Sequence, residues 1–208
     1  MFAQTSETTE HKHCVCGAEH KEIGNHKTED ADASKIFQAW ESDSTLPGTK
    51  GRYYLTKDVV ISETWQPADG TVLCLNGKTI SMNAAKDAIS VGKGETFILT
   101  DCKEAQGSIT HRINSEATTY AGRGMSVAGT FTMYGGNITG SNLECNSNEV
   151  FGAGVYLARE SGDNSSEPNF TMNGGSIAGN IIKKMSYSGN ACGGGVYVEA
   201  NTIFTING

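Results

Sequence analysis

The chain has 208 residues, a formal net charge of −7, 26 glycines, 3 prolines and 37% hydrophobic residues. The acidic balance, without a basic stripe, argues against a nucleic-acid partner, and no apolar run approaches the roughly 20 residues that span a bilayer. The glycines lack the three-residue period of collagen and mostly adjoin alternating apolar runs, which indicates short strands joined by glycine turns rather than disorder.

The N-terminal segment, residues 1–30, contains a cluster of metal-ligand types, HKHCVCGAEHKEIGNH at 11–26. Thiolate and imidazole together are the ligands that zinc prefers. The candidate ligands are Cys14, Cys16, His20 and His26, with His11 and His13 as alternates. Such a site would be structural, because four protein ligands leave no open position for water. The C-x-C spacing is shorter than that of a standard finger, so an unliganded polar tail and a Cys14–Cys16 disulfide are the alternatives.

Residues 31–50 are predicted to form a capping helix and a linker. In the stretch ADASKIFQAWESDS at 31–44, Ile36, Phe37 and Trp40 have helical spacing. We expect this helix to cover the N-terminal end of the repeats that follow, since the end of a repeat array otherwise exposes strand edges and apolar side chains.

A repeated phrase dominates residues 51–208. It reads FTMYGGNI at 131–138 and FTMNGGSI at 170–177, and two degenerate copies precede them, LCLNGKTI at 73–80 and FILTDC at 97–102. Alignment of the copies predicts ladders of like residues: Leu73, Phe97, Phe131, Phe170 and Phe204; Leu75, Leu99, Met133, Met172 and Ile206; and Ile80, Ile109, Ile138 and Ile177. In the later copies the apolar residues alternate with Thr, Ser, Tyr or Asn, which is the period of a strand with one buried face.

A second phrase, AISV, GMSV, GVYL or GVYV, precedes each of the last four copies and adds two ladders. These are Ile89, Met125, Val155 and Val196, and Val91, Val127, Leu157 and Val198. Identical residue types at identical places favour a parallel coil in which like side chains stack at about 4.8 Å, with loops at the corners absorbing the variable spacing. The sequence therefore predicts an all-β parallel solenoid of about five turns.

The phrases FTMNGGSIAGN and GGGVYV resemble the repeats of right-handed parallel β-helix surface and adhesin-like proteins of gut Firmicutes, and more distantly those of the polymorphic outer-membrane family. The resemblance covers about residues 51–208. It implies a right-handed parallel β-helix in an extracellular or cell-surface setting. It carries little information on activity, because the matching residues are core and corner positions.

Side chains with chemistry of their own are few in the repeats. In the predicted register Cys74 aligns with the threonine position of the later copies and Cys102 with a corner glycine, so we expect two small, offset, buried or half-buried thiols rather than a catalytic pair. Asp87 and Asp101 are candidate outward carboxylates, but no acidic residue recurs in a ladder. No catalytic residue is assigned.

The loops between the strands differ in length and chemistry, and loops on a rigid scaffold are the usual place for recognition. The candidate binding residues are Tyr120, Arg123, Tyr156, Tyr187 and Tyr197. Tyr156 and Tyr197 occupy equivalent places in successive repeats, so they are expected to stack, and cross-strand packing is the simpler interpretation of that stack.

The leading hypothesis is a non-enzymatic extracellular module of a bacterial surface protein, which acts in adhesion or ligand binding through the loops, or as a stalk. Its partner would be a host glycan or protein, or another cell-surface component, and its signal peptide is absent or removed. The alternative is a carbohydrate-active β-helix enzyme, lyase- or glycosidase-like, or its binding remnant. The last copy stops at FTING, so we expect a C-terminally incomplete solenoid.

Overall fold

The computed structural model describes residues 12–14, 22–25, 37–111, 122–145, 149–160, 162, 165–184 and 190–207. For 12–14, 22–25 and 145 it describes the backbone alone. Within these ranges the chain forms 22 β-strands and no helix.

The strands are short, two to five residues each. The first eleven are β1 (Lys12–Cys14), β2 (Glu22–Asn25), β3 (Gln38–Trp40), β4 (Arg52–Leu55), β5 (Val59–Ile61), β6 (Thr71–Cys74), β7 (Thr79–Met82), β8 (Ile89–Val91), β9 (Thr96–Thr100), β10 (Ser108–His111) and β11 (Met125–Val127). The others are β12 (Thr130–Met133), β13 (Asn137–Ile138), β14 (Asn142–Cys145), β15 (Val150–Phe151), β16 (Val155–Leu157), β17 (Asn169–Met172), β18 (Ser176–Ile177), β19 (Ile181–Lys184), β20 (Ala191–Cys192), β21 (Val196–Val198) and β22 (Ile203–Ile206).

Three parallel sheets share most of these strands, and the chain visits them in rotation. The seven-stranded sheet runs β22-β17-β12-β9-β6-β4-β3, the five-stranded sheet β18-β13-β10-β7-β5, and the four-stranded sheet β21-β16-β11-β8. From β6 onward each circuit goes from the first sheet to the second, then to the third and back, so the architecture is a solenoid-like parallel coil. The insertions after β13 and β18 pair with each other as β14-β19 and β15-β20.

The core of the coil is built from the predicted ladders. Phe97, Phe131, Phe170 and Phe204 pair in register, and their rings stack with centroids 5.7, 4.7 and 4.8 Å apart. The isoleucine ladder and both ladders of the four-stranded sheet are also in the predicted register. Trp65 closes the phenylalanine stack at one end, with its ring edge-on to Phe97 at 5.4 Å.

The predicted register of the first copy is wrong by two residues. Leu73 pairs with Leu99, and Thr71 is the residue that pairs with Phe97. A shift of two residues keeps every apolar side chain on the same face, so the apolar pattern alone does not distinguish the two registers. A consequence is that Cys74 pairs with Thr100 rather than Ile98.

The predicted capping helix is also wrong over residues 37–44. Gln38–Trp40 form β3, which pairs in parallel with β4 and so extends the seven-stranded sheet. Phe37 is buried against Val72 and Cys74 on the outer face of that sheet, while Trp40 packs on the inner core. Phe37 and Trp40 therefore lie on opposite faces of the sheet, whereas the helical spacing predicted both on one face of a helix. In the described part of the chain, no helix has the length and apolar character needed to cross a membrane.

The Gly-Gly pairs lie at corners, as predicted. Gly136 and Gly175, the second glycine of each pair, have φ of +90° and +85°, which side-chain-bearing residues rarely adopt. At Gly174, the first of its pair, an added Cβ would lie 2.6 Å from the carbonyl oxygen of Tyr134. The second glycine of the pair thus adopts the positive φ that the corner requires. The first allows the backbones of successive coils to lie close together.

Candidate functional site

The four-stranded sheet brings two predicted binding residues together. In β8, β11 and β16 the first and last residues are buried in the core, and in β21 Val196 packs against it. The middle residues of the four strands, Ser90, Ser126, Tyr156 and Tyr197, form an outer ladder. Tyr156 and Tyr197 are half-buried, and their rings stack at 5.7 Å with planes 18° apart. The predicted stack is therefore confirmed.

Phe151 extends this stack. It lies in β15, within a variable insertion, and its ring stacks on Tyr197 with centroids 4.4 Å apart. No repeat position corresponds to Phe151, so the sequence offers no ladder by which to identify it. Pairing of β15 with β20, in which Phe151 lies opposite Cys192, holds it beside the tyrosines.

Arg123 joins the aromatic residues from the start of β11. Its guanidinium carbon lies 4.5 Å from the centroid of the Tyr156 ring, a cation–π distance. Its Nε donates to the carbonyl oxygen of Phe151 at 2.9 Å, and its Nη1 lies 3.2 Å from an oxygen of Asp87. Three contacts thus orient the guanidinium, and the Arg123 side chain remains 27% exposed.

We call the set Arg123, Phe151, Tyr156 and Tyr197 the aromatic surface. Burial raises the pKa of the Tyr156 phenol, Glu199 raises it further, and Arg123 acts in the opposite sense. The phenol is therefore protonated at neutral pH and available as a hydrogen-bond donor.

A polar cleft of about 460 Å³ lies one corner away from the aromatic surface. Its lining residues are Arg159, Ser165, Ser166, Glu167 and Asn201. Arg159 follows β16, and its backbone N–H donates to Glu199 at 3.0 Å. The Nε of Arg159 is enclosed and has no hydrogen-bond partner among the described residues.

The two candidate carboxylates are both engaged by the protein itself. Asp87 accepts the backbone N–H of Arg123 at 2.9 Å in addition to its ion pair. Asp101 is buried and accepts backbone N–H groups of Gly77, Lys103 and Gly107 at 3.0, 3.0 and 2.6 Å. These contacts give both residues a part in holding corners of the coil.

A group of potential metal ligands is formed by Cys74, Asp101 and Cys102, whose ligand atoms lie within 4.8 Å of one another. The two sulfur atoms are 3.6 Å apart. Burial raises the pKa of Cys74 well above its usual range, and the neighbouring Cys102 and Asp101 add to the shift. The expected offset of the two cysteines along the strands is confirmed, but their sulfur atoms are in contact.

The remaining predicted residues lie largely outside the described residues. Tyr120, Tyr187, His11, Cys16, His20 and His26 belong to this group. His13 and Cys14 lie in β1, which pairs antiparallel with β2, and only their backbone is described.

Comparison of the chain with models of protein families, with curated proteins and with solved structures finds no match.

Proposed function

We propose that the chain is a non-enzymatic extracellular module of a bacterial surface protein, a right-handed parallel β-helix of about five turns that binds a partner through the aromatic surface. The observation that carries the proposal is the convergence of Tyr156 and Tyr197, from the neighbouring strands β16 and β21, with Arg123, which lies two residues before β11 of the same sheet. A stalk alone does not require such a cluster.

The aromatic surface has the properties of a recognition site. Tyrosine and arginine are enriched at the residues that dominate binding energy, because each offers apolar area and a polar group together. The ion pair with Asp87 and the ring stack fix these side chains before a partner arrives. Less conformational entropy is therefore lost on binding.

A glycan is the partner that we favour. The phenol and guanidinium groups donate hydrogen bonds to hydroxyl oxygens, and the ring edges offer apolar area beside them. The nearby cleft continues the polar surface with Arg159 and two serines. A host protein is the other outcome that the following test distinguishes.

The test is binding of the purified chain to a glycan array and a host-protein array, followed by titration of the strongest ligand. Tyr197→Ala removes the middle ring of the stack, and we expect affinity to fall at least about tenfold, which corresponds to about 1.4 kcal/mol. Tyr134→Ala is the matched control, because Tyr134 is also half-buried but directly follows β12 of the seven-stranded sheet. It should bind as the original chain does.

Equal weakening by both substitutions, with unchanged melting temperatures, would place the binding site elsewhere. Binding confined to the protein array would replace the glycan as the partner. Turnover of a polysaccharide by the purified chain would refute the non-enzymatic assignment.

We also propose a structural zinc ion held by Cys14, Cys16, His20 and His26, with His11 and His13 as alternates. The donor set of two thiols and two imidazoles fits zinc. The pairing of β1 with β2 supports the proposal, because it places Cys14 opposite Glu22 and Lys12 opposite Asn25, the residue that precedes His26 in sequence. Cys14 thus lies on backbone that is paired with a strand ending one residue before His26 in the sequence.

Metal analysis of the purified chain tests this site. We expect about one zinc per chain, lost in the double variant Cys14→Ser/Cys16→Ser. Cys192→Ser, at an exposed cysteine, is the control and should retain the metal. A metal-free original chain, or zinc that persists in the double variant, would contradict the proposal.

A further inference from the structure

Two thiols of successive turns meet on the outer face of the seven-stranded sheet. Cys74 is the last residue of β6, and Cys102 follows the end of the neighbouring strand β9 by two residues. Their sulfur atoms are 3.6 Å apart, and neither is in a disulfide. The two-residue register correction is what brings them together, because it halves their offset along the strands.

Cys74 and Cys102 differ in their exposure to solvent. Cys74 is completely buried, in a small apolar cluster with Phe37 and Val72, whereas Cys102 is half-buried. A small molecule from solvent therefore reaches Cys102 first, and Cys74 is placed behind it.

A metal site is the less favourable use of this pair. A third ligand would have to come from Asp101, but both of its carboxylate oxygens already accept backbone N–H groups at the corner. Asp101 would have to release bonds that order the turn. Two sulfur atoms alone do not complete the tetrahedral set that zinc requires.

We propose that Cys74 and Cys102 are a disulfide-forming pair, oxidised by exchange with a low-molecular-weight disulfide, and that the bond joins two successive turns of the coil. The sulfur atoms, now 3.6 Å apart, must approach by about 1.6 Å to reach the bonded distance of about 2.05 Å. This proposal is independent of the aromatic surface and of its partner.

The exchange proceeds in two balanced steps. The Cys102 thiol loses its proton to water, and the thiolate attacks one sulfur of the small disulfide RSSR, which breaks the S–S bond and releases RS⁻; this RS⁻ takes up a proton from water and becomes the first RSH. Cys74 then attacks the Cys102 sulfur of the mixed disulfide, its proton passes to the departing thiolate, and RSH leaves. The net reaction converts two protein thiols and RSSR into one protein disulfide and two RSH.

Incubation of the full chain with oxidised glutathione, followed by tryptic digestion and mass spectrometry, tests the proposal. Cleavage after Lys57, Lys78, Lys93 and Lys103 separates the two cysteines into peptides 58–78 and 94–103. We expect these peptides joined, with the loss of two hydrogen atoms, and separated again by reductant. The other four cysteines lie in other tryptic peptides, so a link between 58–78 and 94–103 can only join Cys74 to Cys102.

Melting temperature gives a second measurement. A bond that closes a loop of this length should raise it by roughly 5–10 °C over the reduced chain. Cys102→Ser should abolish the difference, and the control Cys192→Ser should keep it. We choose Cys102 for substitution because it is half-buried. A substitution at the fully buried Cys74 would destabilise the fold more.

Three results would overturn the proposal. They are unlinked peptides after incubation, a stable mixed disulfide of glutathione on Cys102, or zinc that is retained by the chain through Cys74 and Cys102 after the Cys14→Ser/Cys16→Ser change.

Discussion

His111 and Ser141 form a polar pair inside the coil. His111 is 5% exposed and Ser141 is 1% exposed, and Ser141 Oγ lies 3.2 Å from His111 Nδ1. On the other side of the ring, Nε2 lies 3.0 Å from the carbonyl oxygen of Lys86. The carbonyl can only accept, so Nε2 carries the proton and the serine hydroxyl donates to Nδ1. The neutral imidazole thus satisfies both neighbours and links three segments of the chain.

This pair predicts a loss of stability in mild acid. Burial lowers the pKa of His111 below its usual 6.5, although the bond to Lys86 and the charge of Asp87 oppose the shift. The unfolded chain therefore binds the proton first, so the contribution of His111 is fully present above about pH 6.5 and declines as the pH falls through and below that value.

Melting temperature measured from pH 8 to pH 5 tests this, with His111→Gln as the comparison. The variant should be less stable at pH 8 but should lose less on acidification. Its four other histidines are unchanged, so they contribute equally to both curves. Parallel curves for the two proteins would show that His111 does not titrate with folding.

At the scale of the strands, the sequence predicts the strands whose apolar residues alternate with polar ones. It does not predict features that this alternation leaves undetermined. The ladders of β9, β12 and β17 follow from repeated apolar residues at every second position. Alternation does not distinguish two registers of β6 that differ by two residues. The observed register is accompanied by corner contacts such as that of the Gly77 N–H with Asp101. Phe37 and Trp40 satisfy a helical spacing, but residues Gln38–Trp40 form β3, which pairs with the edge of β4.

The candidate site was partly predictable for the same reason. Tyr156 and Tyr197 occupy a repeated position, so their stack is visible in the sequence. Phe151 lies in an insertion, and the contact of Arg123 with Tyr156 depends on how a corner folds across turns. Arg123 is a binding residue predicted from its place beside a variable loop, but Phe151 and the contact of Arg123 with Tyr156 belong to no ladder, so only the folded coil reveals them.

At the scale of the whole molecule, the phenylalanine stack connects the turns of the coil. Phe131 is fully buried between the rings of Phe97 and Phe170. Phe204 is only half-buried, because its strand β22 is the edge of the seven-stranded sheet. In a coil whose turns contact mainly their neighbours, the position of a residue along the axis decides how many interactions a substitution removes.

We therefore expect Phe131→Ala and Phe204→Ala to differ. The first should lower the free energy of unfolding by about 3–5 kcal/mol, since it leaves a cavity between two rings. The second should lower it by about 1–2 kcal/mol, because less apolar surface is lost from the core. Urea denaturation followed by circular dichroism measures both, and equal losses would show that stability is not distributed along the stack in this way.

The aromatic surface crosses the sheet toward an edge. Tyr197 belongs to β21, the edge strand of the four-stranded sheet, while Arg123 precedes β11, which is two strands further in. Edge turns of a coil open more readily than inner ones. A partner that contacts both residues must hold the edge turn closed, so part of its binding free energy is spent against fraying. Recognition and closure of that turn are then a single equilibrium, and ligand concentration sets how often the edge of the coil opens.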